Sequence, residues 1–255
     1  LYSIMRNLEK RYHRKLIQQR TIIMCVNFRP PDPEMLDAVM GVIIDLHDTG
    51  FWKTETWKDY DAPIVRRGAD GERAGVLASY GMVPRKHIPP GVRPFDTMNA
   101  RAETVGQLRS FSGAWKRTQL CLVPMTAFYE PCYESGKPVR WGIGMADDSM
   151  FAVAGLWREW ESEEGKSTSF TQLTMNADDH PLMRRFHKPG DEKRALVIVP
   201  QAEWDDWLDC KDPEYARSFL RHYPAEQMRS WEFPVPPRAK KAPAPAAPDA
   251  QIGLL

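Results

Sequence analysis

Apolar segments of strand length follow one another along this chain without the regular strand–helix alternation that a parallel sheet requires. Residues 120–124, 170–175 and 195–199 each read as a short strand; the last is an almost unbroken aliphatic run, hence buried. Residues 74–84, with Val76, Leu77, Tyr80, Met82 and Val83, read as another, and Asp61 to Arg66 as a turn entering a strand. Residues 138–145 and 150–157 read as an antiparallel pair turned at Asp147-Asp148-Ser149. The pattern predicts an α+β fold, with mostly antiparallel β-sheets forming an open barrel-like core and short helices at its periphery.

The helices are marked by caps and by apolar spacing. Asp32-Pro33-Glu34 supplies an N-cap, a proline at N1 and a first-turn acid, and Leu36, Val39, Met40, Ile43 and Leu46 follow at helical spacing. These signals predict a helix over 33–47. Shorter helices are expected over 102–110 and 178–186, the latter ended by His187-Lys188-Pro189-Gly190. Two more are expected: one with Trp204, Trp207 and Leu208 on one face, another starting at Asp212-Pro213. Residues 85–94 form a proline-rich loop carrying Arg85, Lys86, His87 and Arg93, which reads either as solvated surface or as a phosphate contact. From Pro234 onward Pro, Ala and Lys dominate, the composition of a disordered tail.

At 255 residues the chain can bury a sizeable core. Its net charge of +1 is unevenly placed. Residues 1–24 hold six basic side chains against Glu9, and the remainder holds 29 basic against 33 acidic. A nucleic-acid site in the main body must therefore be a local basic cleft. No apolar run reaches the 18 or so residues of a membrane span, and residues 1–24 lack the continuous apolar core of a secretory signal. The four cysteines show no CxxC spacing, so reduced thiols in a cytosolic protein are expected, with no metal and no cofactor.

The chemistry centres on Met24-Cys25-Val26-Asn27. If Met24 is a start and is removed, Cys25 carries a free α-amine beside its thiol; if residues 1–24 are retained, Cys25 is an internal cysteine. That opening segment reads as a basic arm, a propeptide or upstream sequence wrongly joined to the gene. Far from Cys25 in sequence lie Asn99, His187 and Glu130, which with a thiol make a candidate nucleophile site. Glu130, between Tyr129 and Pro131 after an apolar strand, is expected to be partly desolvated with a raised pKa, or else paired with an arginine at a sheet edge.

Five motifs occur in one order: Met24-Cys25; Asn99-Ala100-Arg101-Ala102-Glu103-Thr104; Cys121-Leu122-Val123-Pro124 with Phe128-Tyr129-Glu130; Ala154-Gly155-Leu156-Trp157; and Thr174 followed by His187. In this the chain resembles the SOS-response-associated peptidase (SRAP) family, over roughly Met24 to Trp207. The resemblance implies capture of abasic sites in single-stranded DNA by an N-terminal cysteine, whose amine and thiol close a thiazolidine on the sugar aldehyde. It also implies self-cleavage before that cysteine. Cys25 would then be the crosslinking nucleophile, and Asn99 would hold the N-terminal region or the sugar. Glu130 would move protons and His187 would be a second acid–base group or a phosphate contact. Arg101 would bind the DNA backbone, with Arg85, Lys86 and Arg29 as further DNA contacts.

The expected layout is 1–24 as a basic upstream segment absent from or cleaved off the active protein, 25–233 as one domain, and 234–255 as the tail. The expected partner is abasic single-stranded DNA, met by a monomer in the cytoplasm or on the nucleoid, with no membrane. The chain departs from the family where Val26-Asn27 replaces Gly-Arg and where Arg85-Lys86-His87 stands in place of tryptophans. Lys188-Pro189-Gly190 likewise replaces Arg-Met-Pro. A thiol peptidase using Cys25, His187 and Asn99 and a non-covalent DNA binder are the alternatives.

Overall fold

The computed structural model describes residues 27–45, 50–163 and 165–234. Cys25, the upstream segment and the tail from residue 235 lie outside them. Five strands make a ring: β2 (Asp61–Arg67), β3 (Arg73–Tyr80), β5 (Leu120–Met125), β8 (Phe151–Ser162) and β9 (Gly165–Asn176). The order β9-β3-β2-β5-β8 is closed by β8 pairing with β9 from Gly155↔Gln172 to Ser162↔Gly165. Every joint is antiparallel except β3–β9, which is parallel and joins only at Ser79↔Ser169 and Tyr80↔Phe170. The barrel-like core expected from the strand pattern is present, and the ring is closed. β4 (Asn99–Arg101) and β10 (Arg194–Leu196) flank β9, and β11 (Ile198–Val199) flanks β8.

A second sheet, β1-β6-β7-β12, packs against the ring. It consists of β1 (Asn27–Arg29), β6 (Ala127–Cys132), β7 (Val139–Met145) and β12 (Met228–Glu232). Strand periodicity divides the core in two. Ile64, Ala78, Tyr80, Cys121, Val123, Val153 and Phe170 form one cluster with Phe28, Phe128 and Ile143 of the second sheet. The alternate positions, such as Val65, Leu122, Ala154, Leu156 and Leu173, pack beneath the helices. There α3 (Trp204–Asp209) seats Trp207 with its indole N–H donating to the Cys121 carbonyl at 2.9 Å.

Several local expectations change. The first helix, α1 (Pro33–Met40), is capped by Asp32 as predicted but stops at Gly41, whose φ of 66° is left-handed. The Val42 and Ile44 side chains then lie over Gly75, where a Cβ would come 2.4 Å from Val42 and 2.6 Å from Ile44, so glycine is required there. Residues 102–110 form turns instead of a helix, and α2 (Ser112–Lys116) follows with Trp115 buried. Residues 178–186 hold only a 3₁₀ turn, because His180 Nδ1 accepts the backbone N–H of Leu182 and Met183. A last short helix is α4 (Pro213–Ala216), capped by Asp212.

β7 and β8 do not pair with each other: β7 joins β6 and β12, whereas β8 enters the barrel. Gly142 explains the choice. A Cβ there would lie 2.5 Å from the Trp231 ring, so β7 is shaped to receive β12. No helix among the described residues is long and apolar enough to cross a membrane.

Gly155 tests the barrel wall. A Cβ there would meet the Thr171 carbonyl at 2.8 Å, Cys121 Sγ at 2.9 Å and Val123 at 3.0 Å. Gly155→Ala is expected to cost roughly 1–3 kcal/mol, read as a lower urea midpoint with an unchanged slope. An unchanged midpoint would mean that the wall yields at this point.

Candidate functional site

The site is built where the second sheet meets the barrel. β1 pairs with β6 through Asn27↔Tyr129, Phe28↔Phe128 and Arg29↔Ala127. On its other side Phe28 exchanges backbone hydrogen bonds with Thr56, at 3.3 and 2.8 Å. The Phe28 ring is buried, edge-on to Tyr80 at 5.3 Å. The Asn27 amide donates to Glu55 at 2.9 Å, and Glu55 also pairs with Arg140, whose guanidinium lies 3.6 Å over the Tyr129 ring. The segment that leads back to Cys25 is thus fastened through main chain and side chain alike.

Alternation along β6 puts Glu130 on the face shared by Phe128 and Cys132, both in the barrel-side cluster. Glu130 is 1% exposed. His187 is 2% exposed, and its backbone N–H donates to the Pro131 carbonyl at 2.9 Å. Its φ is 65°, a left-handed conformation uncommon for a residue other than glycine. The arrangement aims Nδ1 at Glu130 Oε2, 3.5 Å away, and Nε2 at the Arg194 carbonyl, 3.1 Å away.

The hydrogen bond to Arg194 orients the ring. A carbonyl only accepts, so Nε2 carries a hydrogen and donates it to Arg194. Nδ1 is thereby turned toward the Glu130 carboxyl, which it meets at 3.5 Å with both groups buried.

Arg194 anchors that pair. Its guanidinium, 1% exposed, donates to both oxygens of Glu103 at 2.8 and 2.9 Å, to Glu192 at 2.8 Å and to the Thr174 carbonyl at 2.8 Å. Burial pushes the Glu103 carboxyl upward, but hydrogen bonds from Arg194 and the backbone, with the charge of Arg194, outweigh it and hold the pKa at about 2. β4 runs parallel to β9 with Asn99↔Gln172 and Arg101↔Thr174, which places Asn99 and Arg101 beside this network. Arg101 pairs with Glu192 at 2.8 Å.

The sequence-predicted residues thus fall into separate groups. Glu130 and His187 are in contact; Asn99 and Arg101 share β4; Arg29 lies exposed on β1. Arg85 and Lys86 are exposed on a 3₁₀ turn near the opposite end of β9. Sequence reasoning missed Arg194 and Glu192 and gave Glu103 no role. The signal was an arginine opening the aliphatic run of 194–199, since a charge in a buried strand needs buried partners. Among the described residues no group of three His, Cys, Asp or Glu side chains is placed to hold a metal.

The SOS response associated peptidase (SRAP) family model matches residues 46–238, and the chain belongs to that family. It is 30% identical over 154 residues to the abasic site processing protein YoqW of Bacillus subtilis, covering 57% of this chain and 65% of that one. The abasic site processing protein YobE of the same organism matches at 30% over 154 residues, 57% of this chain and 66% of that one. The matched stretch thus spans about two thirds of those relatives. A crystal structure of a Bordetella bronchiseptica protein superposes with a TM-score of 0.73 at 33% identity, covering 83% of this chain and all of that one. A Bacteroides thetaiotaomicron protein shares the fold at 19% identity, with a TM-score of 0.63 over 82% of this chain and 91% of that one.

Glu103 is nearly half exposed, so solvent screens its pair with Arg194. Glu103→Gln is expected to lower stability at pH 7 by about 1 kcal/mol. A depressed carboxyl pKa contributes stability that is complete above the ordinary value of 4.5 and is lost as pH falls through about 2. Wild-type and variant stabilities, measured by urea unfolding, should therefore converge over that interval. A gap persisting at the acid end would assign the effect to packing.

Proposed function

We propose that this protein captures abasic sites in single-stranded DNA as a covalent adduct on Cys25. The observation that carries the reading is the buried contact of the Glu130 carboxyl with the His187 imidazole. Cys25 stands two residues before Asn27, whose backbone pairs with Tyr129, the neighbour of Glu130. Two residues of chain reach no farther than about 7 Å. The names of the relatives, abasic site processing proteins, support the same substrate.

The chemistry suits the parts. The ring-opened abasic sugar presents an aldehyde. The α-amine of Cys25 adds to its carbon, and the carbinolamine loses water to give an imine once a proton is delivered to the departing oxygen. The thiolate then adds to the imine carbon and the nitrogen regains a proton, so aldehyde, amine and thiol give thiazolidine and water. Each step needs a proton given or taken at one place, and a carboxyl–imidazole unit does both. An α-amine with a pKa of about 7.7–8.0 is roughly a tenth free base at pH 7. Holding amine and thiol on one residue makes ring closure intramolecular.

Peptidase action on other proteins is the weaker reading. A cysteine–histidine protease needs a ring nitrogen facing the thiol. Nε2 of His187 donates to the Arg194 carbonyl, and Nδ1 faces the Glu130 carboxyl at 3.5 Å. Self-cleavage before Cys25 fits the capture reading, because it exposes the amine the chemistry requires.

Intact mass spectrometry after incubation with an abasic oligonucleotide tests the proposal. The adduct should appear on a chain beginning at Cys25, survive denaturation and vanish in Cys25→Ala. An adduct on a chain that still carries Leu1 would sink the mechanism. Glu130→Gln should slow adduct formation at least about tenfold with little change in DNA affinity, as expected for an acid–base group; equal losses in both would remove Glu130 from the chemistry. Arg101 is held by Glu192, so Glu192→Gln should tighten DNA binding about two- to fivefold, the order of one exposed ion pair. Unchanged affinity would exclude Arg101 as a backbone contact.

A further inference from the structure

Gln172 is a buried amide that takes no part in the proton chemistry of Glu130 and His187. It lies on β9 and is 1% exposed. The Tyr80 hydroxyl donates to its Oε1 at 3.1 Å, whereas its Nε2 meets no acceptor among the described residues. A buried amide hydrogen without an acceptor carries its full desolvation cost. Such a donor, kept inside a packed core, points to an acceptor that arrives with a ligand.

The ladders say where that donor stands. β4 runs parallel to β9 with Asn99 level with Gln172 and Ala100 level with Leu173. Ala100 and Leu173 pack beneath the helices, so Asn99 and Gln172 turn to the other face, the one that carries Phe170 toward the second sheet. Two residues further along this face is Thr174, whose hydroxyl oxygen accepts from Arg194 at 3.2 Å. Arg194 in turn accepts from His187. Two residues the other way is Phe170, stacked on Tyr80 at 5.2 Å, and Phe28 meets both rings edge-on. Phe28 lies three residues after Cys25 and pairs with Phe128, two residues before Glu130. Gln172 therefore stands between the aromatic wall that seats β1 and the network that orients His187.

The surroundings also select the ligand. A phosphate would have to shed its water against three buried rings and the buried Glu130 carboxyl, which is costly for an anion. A deoxyribose is neutral, with an apolar skeleton and hydroxyl groups. Opening the abasic sugar turns its ring ether into a C4′ hydroxyl, an oxygen that can rotate toward a donor.

We propose that Gln172 reads the open-chain sugar: its Nε2 donates to a hydroxyl oxygen of the ring-opened abasic residue, beside Asn99. The bond from Tyr80 occupies Oε1 and so fixes which end of the amide faces the ligand. The contact favours the form that presents the aldehyde over a closed ring. The inference rests on the abasic-site reading above, but it does not depend on the covalent step.

Fluorescence anisotropy with two oligonucleotides that cannot form the adduct tests it. One carries a borohydride-reduced abasic site, an open chain with hydroxyls at C1′ and C4′. The other carries a tetrahydrofuran analogue, a closed ring without them. Wild type should bind the reduced site at least about fivefold tighter, the order of one buried hydrogen bond. Gln172→Met keeps the side-chain length but removes the donor, and it should bind both oligonucleotides alike. It also takes the acceptor from the Tyr80 hydroxyl, so Tyr80→Phe/Gln172→Met is the companion variant. Removing both partners should leave the urea midpoint close to wild type and again abolish the preference. A preference that survives in both variants, or is missing from wild type, would overturn the inference. A midpoint in the double variant far below wild type would assign the amide to the fold and overturn it too. If the preference holds and the variants lose it, yet wild type forms no adduct on a natural abasic site, the capture reading fails and the sugar contact stands. An adduct without the preference does the reverse.

Discussion

The Arg194 guanidinium is almost wholly removed from water, and the site is arranged around answering it. A buried cation left unpaired costs several kcal/mol, so its partners are structural requirements. Glu103 meets it with both oxygens, Glu192 with one, and the Thr174 carbonyl with a third bond direction. These partners come from the segment after β4, from the loop before β10 and from β9. Satisfying one charge therefore joins three stretches of chain. The same residue turns its own carbonyl toward His187 and decides which imidazole nitrogen carries the hydrogen. The imidazole orientation that turns Nδ1 toward Glu130 is thus set by a residue outside the pair.

The burial of that pair follows from the packing of two sheets. Glu130 projects from β6 toward the barrel, next to Phe128 and Cys132, and the surrounding apolar side chains exclude water. The capture chemistry proposed above would draw on this fixed geometry, since groups held on strands need no reorganisation. The left-handed backbone at His187 belongs to the same arrangement. An uncommon conformation costs about 1–3 kcal/mol and persists only where neighbours enforce it. Here the Pro131 carbonyl and the Lys193 ammonium, 3.1 Å from the His187 carbonyl, hold it.

Much of the barrel was legible because strands packed on both faces write themselves as aliphatic runs, as residues 120–124 do. The run 195–199 instead divides at Val197, with β10 joining β9 and β11 joining β8. Glu130 and His187 were legible as members of ordered motifs. What stayed hidden depended on partners distant in sequence. Helix α1 ends early because Gly41 can turn left-handed, although Ile43 and Leu46 continue the helical spacing. β7 avoids β8 because Gly142 makes room for Trp231, almost ninety residues away. β1 has three residues and no periodicity to read; only its ladder with β6 defines it. Arg194 looked like one more charge in Asp191-Glu192-Lys193-Arg194 until the fold buried it.

Charge places the final constraint on how such a site meets DNA. Beyond the first 24 residues the chain carries more acids than bases, so attraction to phosphate is local. Near Glu130 and His187, Arg101 and Arg194 are already answered by Glu192 and Glu103. At the opposite end of β9, Arg85, Lys86 and Lys166 are exposed. On the capture reading proposed above, phosphate would compete with Glu192 for Arg101, while Arg194 is buried beyond its reach.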